Sequence, residues 1–523
     1  MESNFCEVRN ISVLGVAFRK YPFSEGGNYE LFNVKEEKMK RFWLILLSLG
    51  LIMAFSASAF AVDVKFSGDI DFAGVYLNKA TVDSGFNGMS GRPWQLSSLN
   101  NSTAFYYERM RFGVDFVVSP CLKLVTQFDA LDRVWGQRSG VSDGWPNNPG
   151  TAYIATPNTG GTAGTRAESE NIAMNVAYVE YTSPIGLFKV GYQKDFVFGT
   201  VFGDRGNGMP SGQIQYFLPV GPVLLFAGLA KETDQSATAI TGSGNAVSTD
   251  TDFDSYRIAA IYGLGKKIEV GTLLLWNRIA LYKDIPTAYG PFLANSLNLV
   301  PYFKAQIGPV ALQGELNYGF GKVKPENGIT GYDQDIETLA AFLDATANLG
   351  MVYVGGSFAY VSGQDPNKTD TIQMGFGNTG GLDWNPCLIM FNTDLDYWAG
   401  DIYGHSGTVL DSEMQNAYFF QGRVGVKPMP KLDTMLSVSY ATADKKSVLT
   451  GGGLNGYQAT TGGTYGWEVD VTGTYKITNN LSYMLGFGYL FTGDYFKGIT
   501  SSFAGGPTTS DDYIVVNKLT LSF

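Results

Sequence analysis

The chain has 523 residues, a formal net charge of −11 and one histidine, His405. Charged residues make up 16 %, below the roughly 25 % of soluble globular domains, and 65 glycines with 30 Tyr and 35 Phe disfavour a helical or disordered protein and fit many strands with aromatic belts. The acidic balance argues against nucleic acid, which needs a basic surface, and Cys6, Cys121 and Cys387 offer neither a disulfide framework nor a zinc spacing.

Met39-Lys40-Arg41 opens a short positive stretch, Phe42 to Ala54 is apolar, and Ala59-Phe60-Ala61 gives a small-x-small pattern. This is the layout of a secretory signal peptide, expected over residues 39–61. The apolar core is shorter than the about 20 residues that a spanning helix needs. Residues 1–38 read as an N-terminal extension upstream of the true initiator, Met39. Fold reasoning then concerns a single domain, residues 62–523.

Strand signals begin at once. Val62, Val64, Phe66, Ile70 and Phe72 alternate with Asp63, Lys65, Ser67, Asp69 and Asp71, one face apolar and one polar at period two. Leu312, Leu316 and Tyr318 alternate with Gln313, Glu315 and Asn317. Farther on, Trp467, Val469 and Val471 alternate with Glu468, Asp470 and Thr472. Many of these runs exceed the about 5–6 residues of an ordinary strand, as tilted membrane-crossing strands must. Hydrocarbon offers no partner to a free backbone group, so a spanning sheet has to close on itself.

The connections alternate too. Short turns are expected near Pro120, Pro184, Gly221-Pro222, Gly263, Gly308-Pro309, Gly350, Pro428 to Pro430 and Asn479-Asn480. Between them lie polar loops near 78–102, 137–170, 195–212, 231–252, 283–296, 324–335, 363–413, 444–463 and 493–511. The expected fold is all-β: a transmembrane antiparallel up-and-down β-barrel of 16–18 strands, eighteen favoured. Sixteen is the alternative because 212–231 carries a weak strand signal. In the last strand Tyr513, Val515, Leu519, Leu521 and Phe523 share a face, and Phe523 resembles the aromatic signal read by the barrel-assembly machinery.

Glu108–Phe116 followed by Ser119-Pro120-Cys121, and Ala177–Tyr181 followed by Gly186–Gln193, resemble hairpins of the Gram-negative porin superfamily. The tail around Trp467–Asp470, Asn480-Leu481 and Gly493–Phe496 resembles alginate-export-type barrels. The porin resemblance implies a water-filled outer-membrane channel for passive diffusion of small hydrophilic solutes and ions, assembled as a homotrimer among lipid and lipopolysaccharide. The second resemblance implies a substrate-selective barrel, the alternative function. An outer-membrane hydrolase is a third reading, with no nucleophile elbow or paired metal ligands to support it. No enzyme activity, cofactor or metal is expected.

On these registers Arg109, Arg111, Arg257 and Arg423 face the lumen, with Asp69, Asp71, Asp115, Glu315, Glu468 and Asp470. Rings of such charges set the field a solute meets, although a solvated wall without selectivity fits the same pattern. Asp195, Asp204 and Arg205, among five glycines, mark 195–212 as the constriction-loop candidate, with an ordinary outer loop as the alternative. The fifty-residue stretch 363–413 exceeds the about 12–15 residues of a loop without function and is expected to plug the pore or cover its mouth. Asp250, Asp252 and Asp254 read as a hydrated acidic loop rather than a cation site. His405 reads as a surface residue.

Overall fold

The computed structural model describes residues 62–79, 82, 102–135, 172–203, 210–235, 250–283, 291–325, 333–400, 402, 409–445, 463–496 and 509–523. Its strands are β1 (Asp63–Leu77), β2 (Thr103–Ser119), β3 (Leu122–Val134), β4 (Ile172–Ser183), β5 (Gly186–Gln193), β6 (Ser211–Val220), β7 (Val223–Asp234), β8 (Asp252–Tyr262), β9 (Ile268–Ile279) and β10 (Phe292–Ile307). They continue as β11 (Val310–Pro325), β12 (Gln334–Leu349), β13 (Val352–Val361), the two-residue β14 (Thr371–Ile372), β15 (Ala417–Met429), β16 (Leu432–Ala443), β17 (Thr464–Lys476), β18 (Leu481–Thr492) and β19 (Asp512–Ser522). All but β14 form an 18-strand antiparallel barrel in which each strand pairs with its sequence neighbour. β13 pairs directly with β15, from Val352↔Val426 to Val361↔Ala417. β1 pairs with β19, from Asp69↔Ser522 to Leu77↔Ile514, and leaves no open edge.

The period-two pattern decides which side of the wall each residue occupies. Phe66 and Phe72 are exposed on the outside of β1, whereas Ala73, Val75 and Leu77 are buried within. Trp467 and Val471 are exposed on β17, and the intervening Glu468 and Asp470 are buried. Outward aromatics pack across strands: Tyr256 stacks on Trp276 (4.9 Å between centroids), and Tyr440 lies tilted against Trp467 (4.6 Å). A continuous exposed apolar surface of this kind does not suit water. It suits hydrocarbon, with the aromatic side chains belonging to the belt regions.

Short turns join the strands at one end of the barrel. All eight expected turns are present, and the weak stretch 212–231 is the β6–β7 hairpin, which makes eighteen strands rather than sixteen. Gly221 and Gly308 take the left-handed φ of +58° that their two-residue turns demand, a conformation glycine adopts without a Cβ penalty. The seam between first and last strands also closes at this end. Gly68 and Phe523 exchange two backbone hydrogen bonds of 2.9 Å, and the Phe523 ring covers the bare backbone of Gly68.

The core sits inside the barrel. The described residues of 362–416, which take in the stretch 363–413 expected to plug the pore or cover its mouth, run into the lumen. Ile389, Met390, Phe391, Leu395 and Trp398 of this segment pack on Tyr107, Phe342, Phe419 and Tyr465 of the wall. A seven-residue helix, α1 (Thr393–Ala399), starts where the Asn392 side chain accepts from the Leu395 N–H at 3.0 Å. β14 pairs in parallel beside β12 and ties the entry of the segment to the wall.

Candidate functional site

Two chain segments enter the lumen, and each is held by an inward carboxylate. The first is 194–203, after β5. Phe196 and Phe198 insert among the inward aromatics Phe217, Phe226 and Tyr302. Glu315 of β11 accepts from the Thr200 backbone N–H at 2.6 Å and from its hydroxyl at 2.9 Å, both on Oε2. The chain wraps this carboxylate closely, and a Cβ at Gly199 or Gly203 would collide with it. That is the physical use of two of the glycines noted in this stretch. At the base of the segment Asp195 meets Arg257 at 2.5 Å and the Gln213 amide at 2.9 Å.

The second segment is 362–416. Glu468 of β17, fully buried, accepts from the backbone N–H groups of Ile389 at 2.7 Å and Met390 at 2.8 Å, one on each oxygen. Gln421 of β15 donates to the Pro386 carbonyl at 2.7 Å. On β3 the Asp132 carboxylate accepts from the Tyr397 hydroxyl at 2.9 Å, and on β2 Tyr107 stacks on Trp398 with centroids 4.1 Å apart. The two segments also touch one another. Gly381 donates its N–H to the Phe202 carbonyl at 2.7 Å, and Phe202 and Trp384 pack edge to face.

The inward arginines are all matched by acids. Arg109 pairs with Asp132 at 3.3 Å, with its guanidinium 4.6 Å from the centre of the Tyr397 ring. Arg111 pairs with Asp129 at 3.0 Å. Arg257 holds Glu232 at 2.6 Å besides Asp195, and Arg423 holds Asp344 at 2.7 Å. Asp115 lies 4.0 Å from Lys123, which bridges to Glu180 at 3.0 Å. Asp71 pairs with Lys518 at 3.0 Å, and Asp69 stands opposite Arg111 in the β1–β2 register. These wall positions therefore carry ion pairs rather than bare charges.

Of the expected site residues, Glu315, Glu468 and Asp195 serve to hold the inward segments, while Arg109, Arg111, Asp115, Arg257 and Arg423 occupy paired wall positions. Asp470 is buried behind the second segment, 2 % exposed. Asp204, Arg205 and His405 lie outside the described residues. The acidic trio is neutralised: Asp250 meets Arg278 at 2.5 Å and Lys283 at 3.2 Å, and Lys231 meets Asp252 at 2.6 Å and Asp254 at 3.0 Å. Cys387, expected in an outer loop, is a free thiol buried in the lumen, so it forms no disulfide with Cys121.

Period two did not identify Lys194, because it falls just past the end of β5. It sits half-buried at the root of the first inward segment and makes no ion pair among the described residues. Burial, followed by the nearby Arg111 charge, holds its ammonium below the usual lysine range. A second missed feature is a cavity of roughly 320 Å³ at the short-turn end, lined by Lys427, Lys431 and Lys476 with Asp433 and Tyr353.

No protein-family model matches this chain, and no curated protein matches it. Among solved structures it is similar to OpdK of Pseudomonas aeruginosa with vanillate, at 12 % identity and a TM-score of 0.43, covering 88 % of this chain and 99 % of that one. It is similar to OccK9 (OpdG) of the same organism at 13 % identity and a TM-score of 0.43, with coverage of 88 % and 99 %. It is also similar to a loop-deletion mutant of OmpT, an outer membrane protein of Vibrio cholerae, at 9 % identity and a TM-score of 0.36, with coverage of 88 % and 100 %.

Proposed function

We propose that this chain is an outer-membrane channel through which small hydrophilic solutes and ions pass down their gradients, and that its inward segments make it selective by size and charge. The observation that carries the reading is the division of the wall. A closed 18-strand barrel has an apolar outer face and a charged, hydrogen-bonded inner face. Barrels of this strand number enclose an aqueous lumen. A lumen accounts for ion pairs on the inside of a sheet whose outside is hydrophobic.

Two segments meeting inside the barrel favour a narrow channel over a wide general pore. A solute must pass between paired wall charges, the aromatic pair Tyr397 and Trp398, and Lys194. Charged groups at such a constriction filter by sign and by the ability to replace hydration. Homotrimer assembly, contact with lipopolysaccharide and delivery by the barrel-assembly machinery belong to the same proposal. The test is incorporation of the purified protein into a planar bilayer. Discrete single-channel steps, together with liposome swelling by small sugars but not by large ones, are expected. A folded barrel that gives neither conductance nor swelling overturns the channel reading.

A further inference from the structure

Behind the second inward segment, Cys387, Glu468 and Asp470 bring a sulfur and two carboxylate oxygens within 4.8 Å of one another, all three side chains buried. Glu468 and Asp470 project from β17, and Cys387 comes from the segment that they face. We propose that these residues bind one borderline-soft divalent cation, with zinc the best match to the donor set.

Three observations carry the proposal. Two neighbouring carboxylates are taken out of water, at 0 % and 2 % exposure, and neither forms an ion pair with Lys or Arg among the described residues. Buried charge without a partner is strongly unfavourable, and a divalent ion supplies the missing positive charge. Second, Asp470 Oδ1 is buried with no hydrogen-bond partner. It lies in the gap between Leu388, next to Cys387, and Gly488 of β18, where a Cβ on the glycine would stand only 2.6 Å from that oxygen. The wall is kept bare beside the unpartnered atom. Third, the remaining contacts are of the kind that orients ligands. The Ile389 and Met390 amides fix both oxygens of Glu468, and Ser437 lies 3.5 Å from Asp470 Oδ2.

The donor set selects the ion. Thiolate disfavours calcium and magnesium, whereas two carboxylates disfavour copper(I). Thiolate with carboxylate oxygen suits zinc, and cobalt(II) as its spectroscopic substitute. The ion joins the barrel wall to the inward segment through Cys387, and so clamps that segment in the lumen. Sequence spacing hides the site because its ligands are about eighty residues apart and come from a strand and a loop.

The experiment uses the purified full chain in detergent, stripped with EDTA and then titrated with cobalt(II). One equivalent should bind and produce a sulfur-to-cobalt charge-transfer absorption that zinc abolishes. The band should disappear in C387S and persist in C121S, and D470N should weaken binding by about tenfold or more. Heat-modifiable electrophoretic mobility reports that each variant is folded. Absence of stoichiometric cobalt or zinc binding in the folded wild-type protein overturns the proposal, and so does a band that survives in C387S. Because the readout is binding and spectroscopy, it stands apart from whether the barrel conducts.

Discussion

Glu315 and Glu468 show how a single inward carboxylate organises a pore interior. Both oxygens of Glu468 accept backbone N–H groups, and Glu315 accepts twice from Thr200. The Glu468 geometry predicts the effect of a glutamine variant. In Glu468→Gln one oxygen becomes an NH2 that faces an N–H donor, so a charge-assisted bond is lost and a buried amide is left unpaired. Docking of the second segment should weaken by about 3 kcal/mol, seen as faster proteolysis within 363–416 and noisier, larger channel currents. Unchanged proteolysis and unchanged currents in Glu468→Gln would contradict the role given to this carboxylate. Alternation alone put both glutamates in the lumen. It could not reveal their roles, since their partners lie 115 and 79 residues away in sequence and the pairing exists only after the barrel closes.

The strands and turns were legible because their signals are local. Period-two polarity and Gly-Pro or Pro-containing turns specify each hairpin without reference to the rest of the chain. The length of 363–413 marked it as a plug or a lid, but which of the two, and by what contacts, was not legible, because its apolar residues at irregular spacing, such as Trp384, Ile389, Met390 and Leu395, have no periodic partner until they meet the wall. Since β13 pairs directly with β15 at Val361↔Ala417, the segment is dispensable to barrel closure. Replacing residues 365–413 with a short Asn-Gly turn should leave heat-modifiable, folded barrel and raise single-channel conductance several-fold. Loss of the barrel itself would mean that the segment is needed for folding rather than for gating the lumen. The seam makes the opposite prediction. Phe523 caps Gly68 and exchanges two hydrogen bonds with it, so Phe523→Asp should strip an aromatic cover from the closing pair and put a charge at its lipid-facing edge. The yield of folded barrel should fall well below that of Phe503→Asp, a residue of the stretch 493–511 expected as a polar loop and outside the described residues, measured by heat-modifiable mobility after membrane extraction. Equal yields would remove any special role from the seam.

Across the whole molecule, the distribution of charge rather than its total sets what the channel admits. Residues 62–523 carry 30 basic and 42 acidic residues, the 37 and 48 of the full chain less 7 and 6 in residues 1–61, a net of −12. The four inward arginines contribute little bare positive field, because Arg109, Arg111, Arg257 and Arg423 each hold a carboxylate. At the long-loop end the paired acids are more exposed than those of the wall: Asp250 is 49 % exposed beside Arg278 and Lys283, and Asp335 is 60 % exposed beside Lys322. Lysines gather at the short-turn end, in the cavity of Lys427, Lys431 and Lys476. Cations should therefore be favoured at one mouth and opposed at the other, over a Debye length of about 8 Å at physiological ionic strength. The expected result is a weak cation preference that fades as salt rises, with currents that differ in size when the voltage is reversed. Reversal potentials under a tenfold salt gradient measure the first, and current–voltage curves in symmetric salt measure the second. Replacing Lys427, Lys431 and Lys476 with Gln should strengthen the cation preference and reduce the asymmetry, since the acidic mouth is left unopposed. A clearly anion-selective wild-type channel would instead mean that Lys194, at the root of the first inward segment, outweighs both mouths, and Lys194→Gln should then abolish that selectivity.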